Sequence, residues 1–302
     1  MPRIEVRSGI SLAYESHGEG DPLVLIMGVG AQRVFWPKDF VSRLVEHGHR
    51  VILFDNRDCG ESTWLKDQRA PAPMAAMTRA LAGLSISVPY TLWDMADDTV
   101  ALFDALGIER AHLAGISMGG MISQCVAIRY PDRVRSLTSM HSSTGSRRHS
   151  IGDPRAYAAL LAPGPKNRDE AAEHLVRLYQ TIGSPAYEHD WEELRERGRQ
   201  AFDRGSNPAG FLRQWSAILG SGSRDLALKD LQMPTLVIHG DADRLVPLRA
   251  GRHTARCIPN AHLEVIEGLG HDLPPGARER IADLLVWNAA RAASGIVADS
   301  DG

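Results

Sequence analysis

Five consecutive residues, Gly115-Ile116-Ser117-Met118-Gly119, carry the first chemical signal of the chain. In a GxSxG turn between a strand and a helix, the flanking glycines permit backbone crowding that other residues resist. The serine is then pushed out at the edge of the sheet. The pattern alone is weak, because at ~7% glycine per position a chain of this length shows one by chance about one time in ten. A serine hydroxyl attacks a carbonyl only when a neighbouring imidazole takes its proton, and an acid must orient that imidazole. Two later segments offer those groups. Asp243 ends Gly240-Asp241-Ala242-Asp243, directly after the apolar run Thr235–His239, and His271 ends Gly268-Leu269-Gly270-His271, directly after Leu263–Ile266. Each of the three follows a run that reads as a strand. In a parallel sheet they emerge on one edge, in the order Ser, Asp, His. Asp241 is the competing acid, and Asp243 is expected because it lies farther along the loop, within reach of the His271 Nδ1. Acyl transfer also needs N–H donors aimed at the developing oxyanion. The amide of Met118 is one, and the loop Met27-Gly28-Val29-Gly30 offers the other, with Val29 expected and Gly28 and Gly30 as its near alternatives.

The elements that must hold these groups follow from periodicity. Ile4–Arg7 and Ser11–Glu15 alternate and join through Ser8-Gly9 as a hairpin. Compact apolar runs come next at Leu23–Met27, Val51–Phe54, His112–Gly115 and Val134–Met140, separated by helical spacing at Phe40–Val45, Leu92–Leu106 and Met118–Tyr130. Short apolar runs without strict alternation, divided by helices, indicate parallel strands covered on both faces. The rhythm stops between about Ser142 and Lys229. There Leu175, Leu178, Tyr179 and Ile182, and then Phe211, Trp215, Ile218 and Leu219, fall on helical stripes, with Pro208 as a start and Gly220 as a stop. It resumes with Thr235–His239, Leu263–Ile266 and a last helix over about Arg278–Ala290. A smaller insert, rich in proline and alanine, spans Leu65 to Pro89. The tail from Ser294 is expected to fray.

Composition narrows the function classes. The chain has 302 residues with 34 Lys+Arg against 37 Asp+Glu, a formal charge of −3, so it presents no basic footprint for nucleic acid or an anionic membrane. Its cysteines, Cys59, Cys125 and Cys257, are odd in number and lack CxxC spacing, which suits a reducing compartment. The opening residues carry Glu5, Arg7 and Glu15 where a signal peptide needs an apolar core. The longest run without Asp, Glu, Lys or Arg, Ala111 to Ile128, is interrupted by glycines and Ser117, Ser123 and Gln124, a poor membrane helix. A cytoplasmic protein without membrane or nucleic-acid partners is expected. No histidine spacing reads as a metal set, His47/His49 and His141/His149 included, and neither GxGxxG nor a P-loop occurs, so no cofactor or metal is expected. The oligomeric state is left open, a homo-oligomer included.

Taken together, the hairpin, the MGVG loop, DNRDCGES, GISMGG, GDADRLVP and GLGH resemble the α/β-hydrolase superfamily over roughly Ile4 to Ala290. Within it the chain is most similar to cofactor-free bacterial carboxylesterases related to aclacinomycin methylesterase, which share Met-Gly where many relatives have His-Gly. The resemblance implies an α/β fold with a mostly parallel eight-stranded sheet flanked by helices. It implies a core of residues 1–141 and 230–302 and a helical cap of 142–229. It also implies nucleophile Ser117, acid Asp243, base His271 and oxyanion amides at Val29 and Met118. Asp55-Asn56-Arg57-Asp58-Cys59-Gly60-Glu61-Ser62 matches a structural loop of that family, except that Asp58 stands where glycine is common. Serine at position 117 excludes the dehalogenase and epoxide hydrolase relatives, which use aspartate there. Hydrolysis of a small-molecule carboxylic ester is the leading expectation. Perhydrolysis, C–C bond hydrolysis and a non-catalytic small-molecule receptor are the alternatives. Gly28, Trp36 and Trp215 are candidate pocket residues, and Trp64 and Phe211 are further aromatics that could lie under the cap, with core packing equally open to each.

Overall fold

The structure, a computed structural model, describes residues 2–7 and 9–293; the tail from Ser294 lies outside the described residues. The expected hairpin forms from β1 (Arg3–Arg7) and β2 (Ile10–His17), with Ile4 opposite Leu12. Then follow β3 (Asp21–Ile26), β4 (His49–Phe54), β5 (Ala111–Ile116), β6 (Val134–Met140), β7 (Thr235–Gly240) and β8 (His262–Ile266). They form one eight-stranded sheet in the order β1-β2-β4-β3-β5-β6-β7-β8. β2 runs antiparallel to both neighbours, and every pairing from β4 to β8 is parallel. All six residues of β5 and of β7 are buried, because helices cover both faces of the sheet and leave no side for polar alternation.

One face packs against α3 (Leu92–Ala105) and α4 (Met118–Arg129), and the other against α1 (Lys38–Glu46) and α11 (Pro275–Ala293). Thr91 starts α3 through a capping box with Asp94, satisfying amides that the first turn leaves open. α4 buries ten of its twelve residues, as a helix apolar on all sides must. The last helix begins earlier than its apolar spacing indicated, since Pro275 supplies a preset φ where no N–H is needed. The insert at 65–89 contains α2 (Pro73–Ala82), a helix that its proline content obscured.

Between β6 and β7 lie α5 (Arg147–Ser150), α6 (Pro154–Leu160), α7 (Arg168–Ile182), α8 (Trp191–Arg204) and α9 (Pro208–Gly220), with no strand among residues 142–229. Two of these helices are tied to the loop after β4 by buried charge. Asp55, fully buried, accepts from Arg33 of the core at 2.5 Å and from Arg204 of α8 at 2.6 Å. Asp58 accepts two bonds from Arg213 of α9, at 2.8 and 2.6 Å, and one from the Tyr90 hydroxyl at 2.9 Å. The Asp58 backbone sits at φ 66°, the region that explains why glycine is common at that place in the family. Aspartate tolerates that backbone, and its carboxylate holds α9 to the core. Burial, and Asp58 beside it, push the Tyr90 phenol well above its ordinary range, so it stays a donor.

Removing the cation from such a pair strands a buried carboxylate. Arg213→Ala is therefore expected to lower unfolding stability by about 3–5 kcal/mol in a urea titration. A loss below about 1 kcal/mol would show that Asp58 does not depend on this partner.

Candidate active site

Ser117 sits at φ 56° and ψ −119°, a backbone that a side-chain-bearing residue rarely adopts. Close packing enforces it. A Cβ on Gly115 would come within 2.2 Å of the Gly119 carbonyl carbon, and one on Gly119 within 1.9 Å of the Ile26 carbonyl oxygen. The Ser117 N–H donates to Met140 O at 2.8 Å, and the Ser142 hydroxyl donates to Ser117 O at 2.8 Å. Strand β6 thus braces the turn from one side and β3 from the other.

Asp243 and His271 stand beyond the ends of β7 and β8. His271 Nδ1 lies 2.7 Å from Asp243 Oδ2. Asp243 Oδ1 accepts the backbone N–H groups of Leu245 and Val246, each at 2.9 Å. Burial alone would raise this carboxyl group, but the His271 imidazole bonded to it and the nearby His141 ring hold it well below the usual carboxylate range. It is ionised, and its Oδ2 faces the His271 Nδ1. The competing residue, Asp241, is turned elsewhere: its Oδ1 accepts the Gly268 N–H at 2.7 Å on the exposed side of the loop.

A cavity of about 530 Å³ lies between the strand ends and the helical insert, and Ser117, His271, Gly28 and Val29 all line it. Among the described residues no hydrogen bond joins Ser117 Oγ to His271. The Gly30 N–H is taken by Gln214 Oε1 at 2.7 Å. The N–H groups of Val29 and Met118 meet no acceptor among the described residues, which leaves them available to an oxyanion. Met118 is also the first residue of α4, where the helix dipole favours negative charge. A Cβ on Gly28 would lie 3.2 Å from the Ser117 Cβ, so glycine keeps the approach to the serine open.

Two candidate pocket residues lie elsewhere. Trp36 is buried in the core, stacked on Phe40 at 5.7 Å, and Trp215 packs edge-on to Tyr157 at 6.0 Å; neither lines the cavity. Trp64 also lies outside it, its Nε1 donating to Gly60 O at 2.9 Å. Phe211 does line the cavity, seated over Gly30. The walls are otherwise largely aliphatic, with Met27, Ile116, Leu160, Leu175, Leu178 and Leu245 among them. The two lining arginines, Arg197 and Arg278, both bind one carboxylate, that of Glu193, at 2.5 and 2.7 Å.

The sequence reading missed the residues that surround the acid. His141, directly after β6, is fully buried at φ 48°, with its Nδ1 3.3 Å from Asp243 Oδ2 and its ring edge-on to His271 at 5.6 Å. His239 of β7 adds a third imidazole, its Nε2 2.7 Å from Val246 O, and burial pushes it down to about 4. The signal was available: a residue that follows a central parallel strand lands on the same edge as the serine. The insert also braces His271. Its N–H donates to Ile182 O at 2.7 Å, the Gly270 N–H to Ser184 Oγ at 2.8 Å, and Asp272 is held by Ser184 and by His189.

With this geometry in view, known proteins fall into place around it. A sequence profile of the alpha/beta hydrolase fold matches residues 21–274. The chain belongs to the α/β-hydrolase fold family. Rhodomycin D methylesterase of Streptomyces peucetius is 29% identical over 293 residues, covering 88% of this chain and 91% of that protein. A 2-hydroxy-6-oxononadienedioate/2-hydroxy-6-oxononatrienedioate hydrolase of Burkholderia vietnamiensis is 29% identical over 275 residues, covering 89% and 87%. The meta-cleavage product hydrolase of Pseudomonas fluorescens superposes with a TM-score of 0.74 at 23% identity, over 97% of this chain and 98% of that one, a likeness of fold. The protein is thus a hydrolase of this superfamily with esterase-type relatives, and no helix of the described residues is long and apolar enough to cross a membrane.

Two consequences can be measured. Asp243→Asn is expected to cut kcat about 10⁴-fold, as an acid lost from such a triad does, while Asp241→Asn stays within tenfold of wild type. The reverse order would transfer the orienting role to Asp241. Buried His112 and His239 are both pushed down to about 4 by desolvation, below the ~6.5 of an unfolded chain. The unfolded state then binds more protons, so their contribution is complete above about pH 6.5 and lost as the pH falls towards 4. Urea stability should decline over that interval, and a flat profile from pH 6.5 to 5 would contradict the buried neutral state of both rings.

Proposed function

We propose that the protein is a serine carboxylesterase acting on neutral carboxylic esters of small to medium size. The observation that carries this reading is the 2.7 Å bond between His271 and Asp243, set on the rim of the same cavity that Ser117 lines. Ser117 Oγ attacks the ester carbonyl carbon while its proton passes to His271 Nε2. The N–H groups of Val29 and Met118 receive the charge that gathers on the carbonyl oxygen. Collapse breaks the C–O bond, and the departing alcohol takes the proton from His271. Water then gives a proton to His271 and its oxygen to the acyl carbon, releasing the acid and restoring Ser117. Asp243 stays ionised throughout and stabilises the imidazolium.

In this reading residues 142–229 act as a cap over the sheet and its flanking helices, and the largely aliphatic walls favour apolar groups on the substrate. The relatives include a hydrolase of a dioate. In this chain both lining arginines are already paired: Glu193 bridges them and Arg278 also binds Asp39 at 3.1 Å, so two carboxylates balance the two cations. That pairing supports a neutral ester over an anionic diketone.

Ser117→Ala should lower kcat on p-nitrophenyl esters by at least ~10⁴ while leaving urea unfolding unchanged. An organophosphonate should stop the wild-type enzyme and modify Ser117 alone. Retention of a tenth of the activity in Ser117→Ala, or a label on another residue, would remove Ser117 from this role.

A further inference from the structure

Among the described residues, two groups of histidine, cysteine and carboxylate side chains bring ligand atoms within 4.8 Å of one another. One, His141 with Asp243 and His271, belongs to the site above. The other has no part in it: Asp225, His253 and Cys257 do not line the cavity. His253 and Cys257 lie one turn apart on α10 (Leu248–Cys257), so both face the same way. Asp225 comes from the segment after α9, where the helical insert returns to the core. That segment is bonded to the residues by which the insert leaves it: the Arg224 N–H donates to Thr144 O at 2.8 Å, and Arg224 Nη2 to Ser143 O at 2.8 Å. His149 of α5 stacks on the His253 ring, centroids 3.8 Å apart. Three chain segments, both ends of the insert and one core helix, therefore converge on this point.

The distances between donor atoms fit a tetrahedral ion. With metal–sulfur bonds of about 2.3 Å and metal–nitrogen or –oxygen bonds of about 2.0–2.1 Å, the tetrahedral edges are about 3.6 Å from S to N and about 3.3 Å from N to O. Here His253 Nε2 lies 3.5 Å from Cys257 Sγ and 3.1 Å from Asp225 Oδ2. We propose that Asp225, His253 and Cys257 bind one zinc-class divalent ion, which fastens the returning end of the helical insert to α10. The donor set selects the metal: thiolate with imidazole suits Zn²⁺ or Co²⁺, whereas Mg²⁺ and Ca²⁺ require oxygen ligands. Binding releases the Cys257 thiol proton to solvent, and thiolate plus carboxylate then balance the ion's two charges. Water completes the fourth position. Cys257 is 8% exposed and His253 and Asp225 are half-buried, so the ion enters from solvent without unfolding the helix.

The test uses the full chain, reduced and freed of metal by chelation. Titration with Co²⁺ alone should give one ion per chain, with the near-ultraviolet thiolate-to-cobalt charge-transfer band and the visible bands of a tetrahedral ion. Zn²⁺ should displace it and raise the thermal midpoint. Cys257→Ser should abolish the charge-transfer band, and both Cys257→Ser and His253→Gln should weaken Zn²⁺ binding at least a hundredfold. Esterase activity should remain with or without metal, which separates this site from the reading of Ser117. No charge-transfer band in the wild-type protein, or a band that survives Cys257→Ser, would overturn the proposal.

Discussion

Gly119 lies so close under the Ile26 carbonyl that no side chain fits between helix α4 and strand β3. That contact forces the turn after β5 to be sharp, and the sharp turn holds Ser117 at a positive φ. The strain is stabilised by what surrounds it: the parallel pairings of β5 with β3 and β6, the Ser117–Met140 bond, and a helix buried along nearly its whole surface. Because the same sheet ends also carry the loops of Asp243 and His271, the position of the serine sets the frame in which the other two groups act. Val29 and Met118 are part of the same constraint, since the loop after β3 and the first turn of α4 meet at the serine.

Charge does a second, separate task. Apolar packing fills both faces of the sheet, and the helical insert meets the core both through apolar contacts, Ala156 and Ile182 against Leu245, Val246 and Ala250, and through buried charge. Asp55 with Arg204 and Asp58 with Arg213 are buried pairs that need both partners, so they fix the placing of α8 and α9 more than they add net stability. At the other end, Ile182 and Ser184 take hydrogen bonds from the His271 loop. His271 is thereby held partly by the insert, which couples the placement of residues 142–229 to the orientation of its ring.

Much of this was legible in the sequence because it rests on local rules. Strands β5 and β7 read as short, mostly apolar runs without strict alternation, and GxSxG, GDAD and GLGH come at strand ends, so their convergence is a property of parallel sheets. What stayed hidden depends on long-range packing. The rings of Trp36 and Trp215 could not be told from pocket residues, since core and cavity select the same aromatic chemistry, and the structure puts both into packing contacts. His141 looked like one histidine among twelve until β6 carried it to Asp243. Asp58 looked like a departure from the family loop, and its reason, Arg213, lies 155 residues away. Asp225, His253 and Cys257 come together only because the insert closes on itself.

In the proposed reaction Ser117 forms a covalent acyl-enzyme. The most direct measurement is a rapid acid quench of the wild-type enzyme during turnover of a p-nitrophenyl ester, followed by peptide mass spectrometry. The expected result is a mass gain equal to one acyl group on the peptide that contains Ser117, formed in step with a burst of p-nitrophenol. Burst-phase product without any adduct, or an acyl group carried by a different residue, would contradict it.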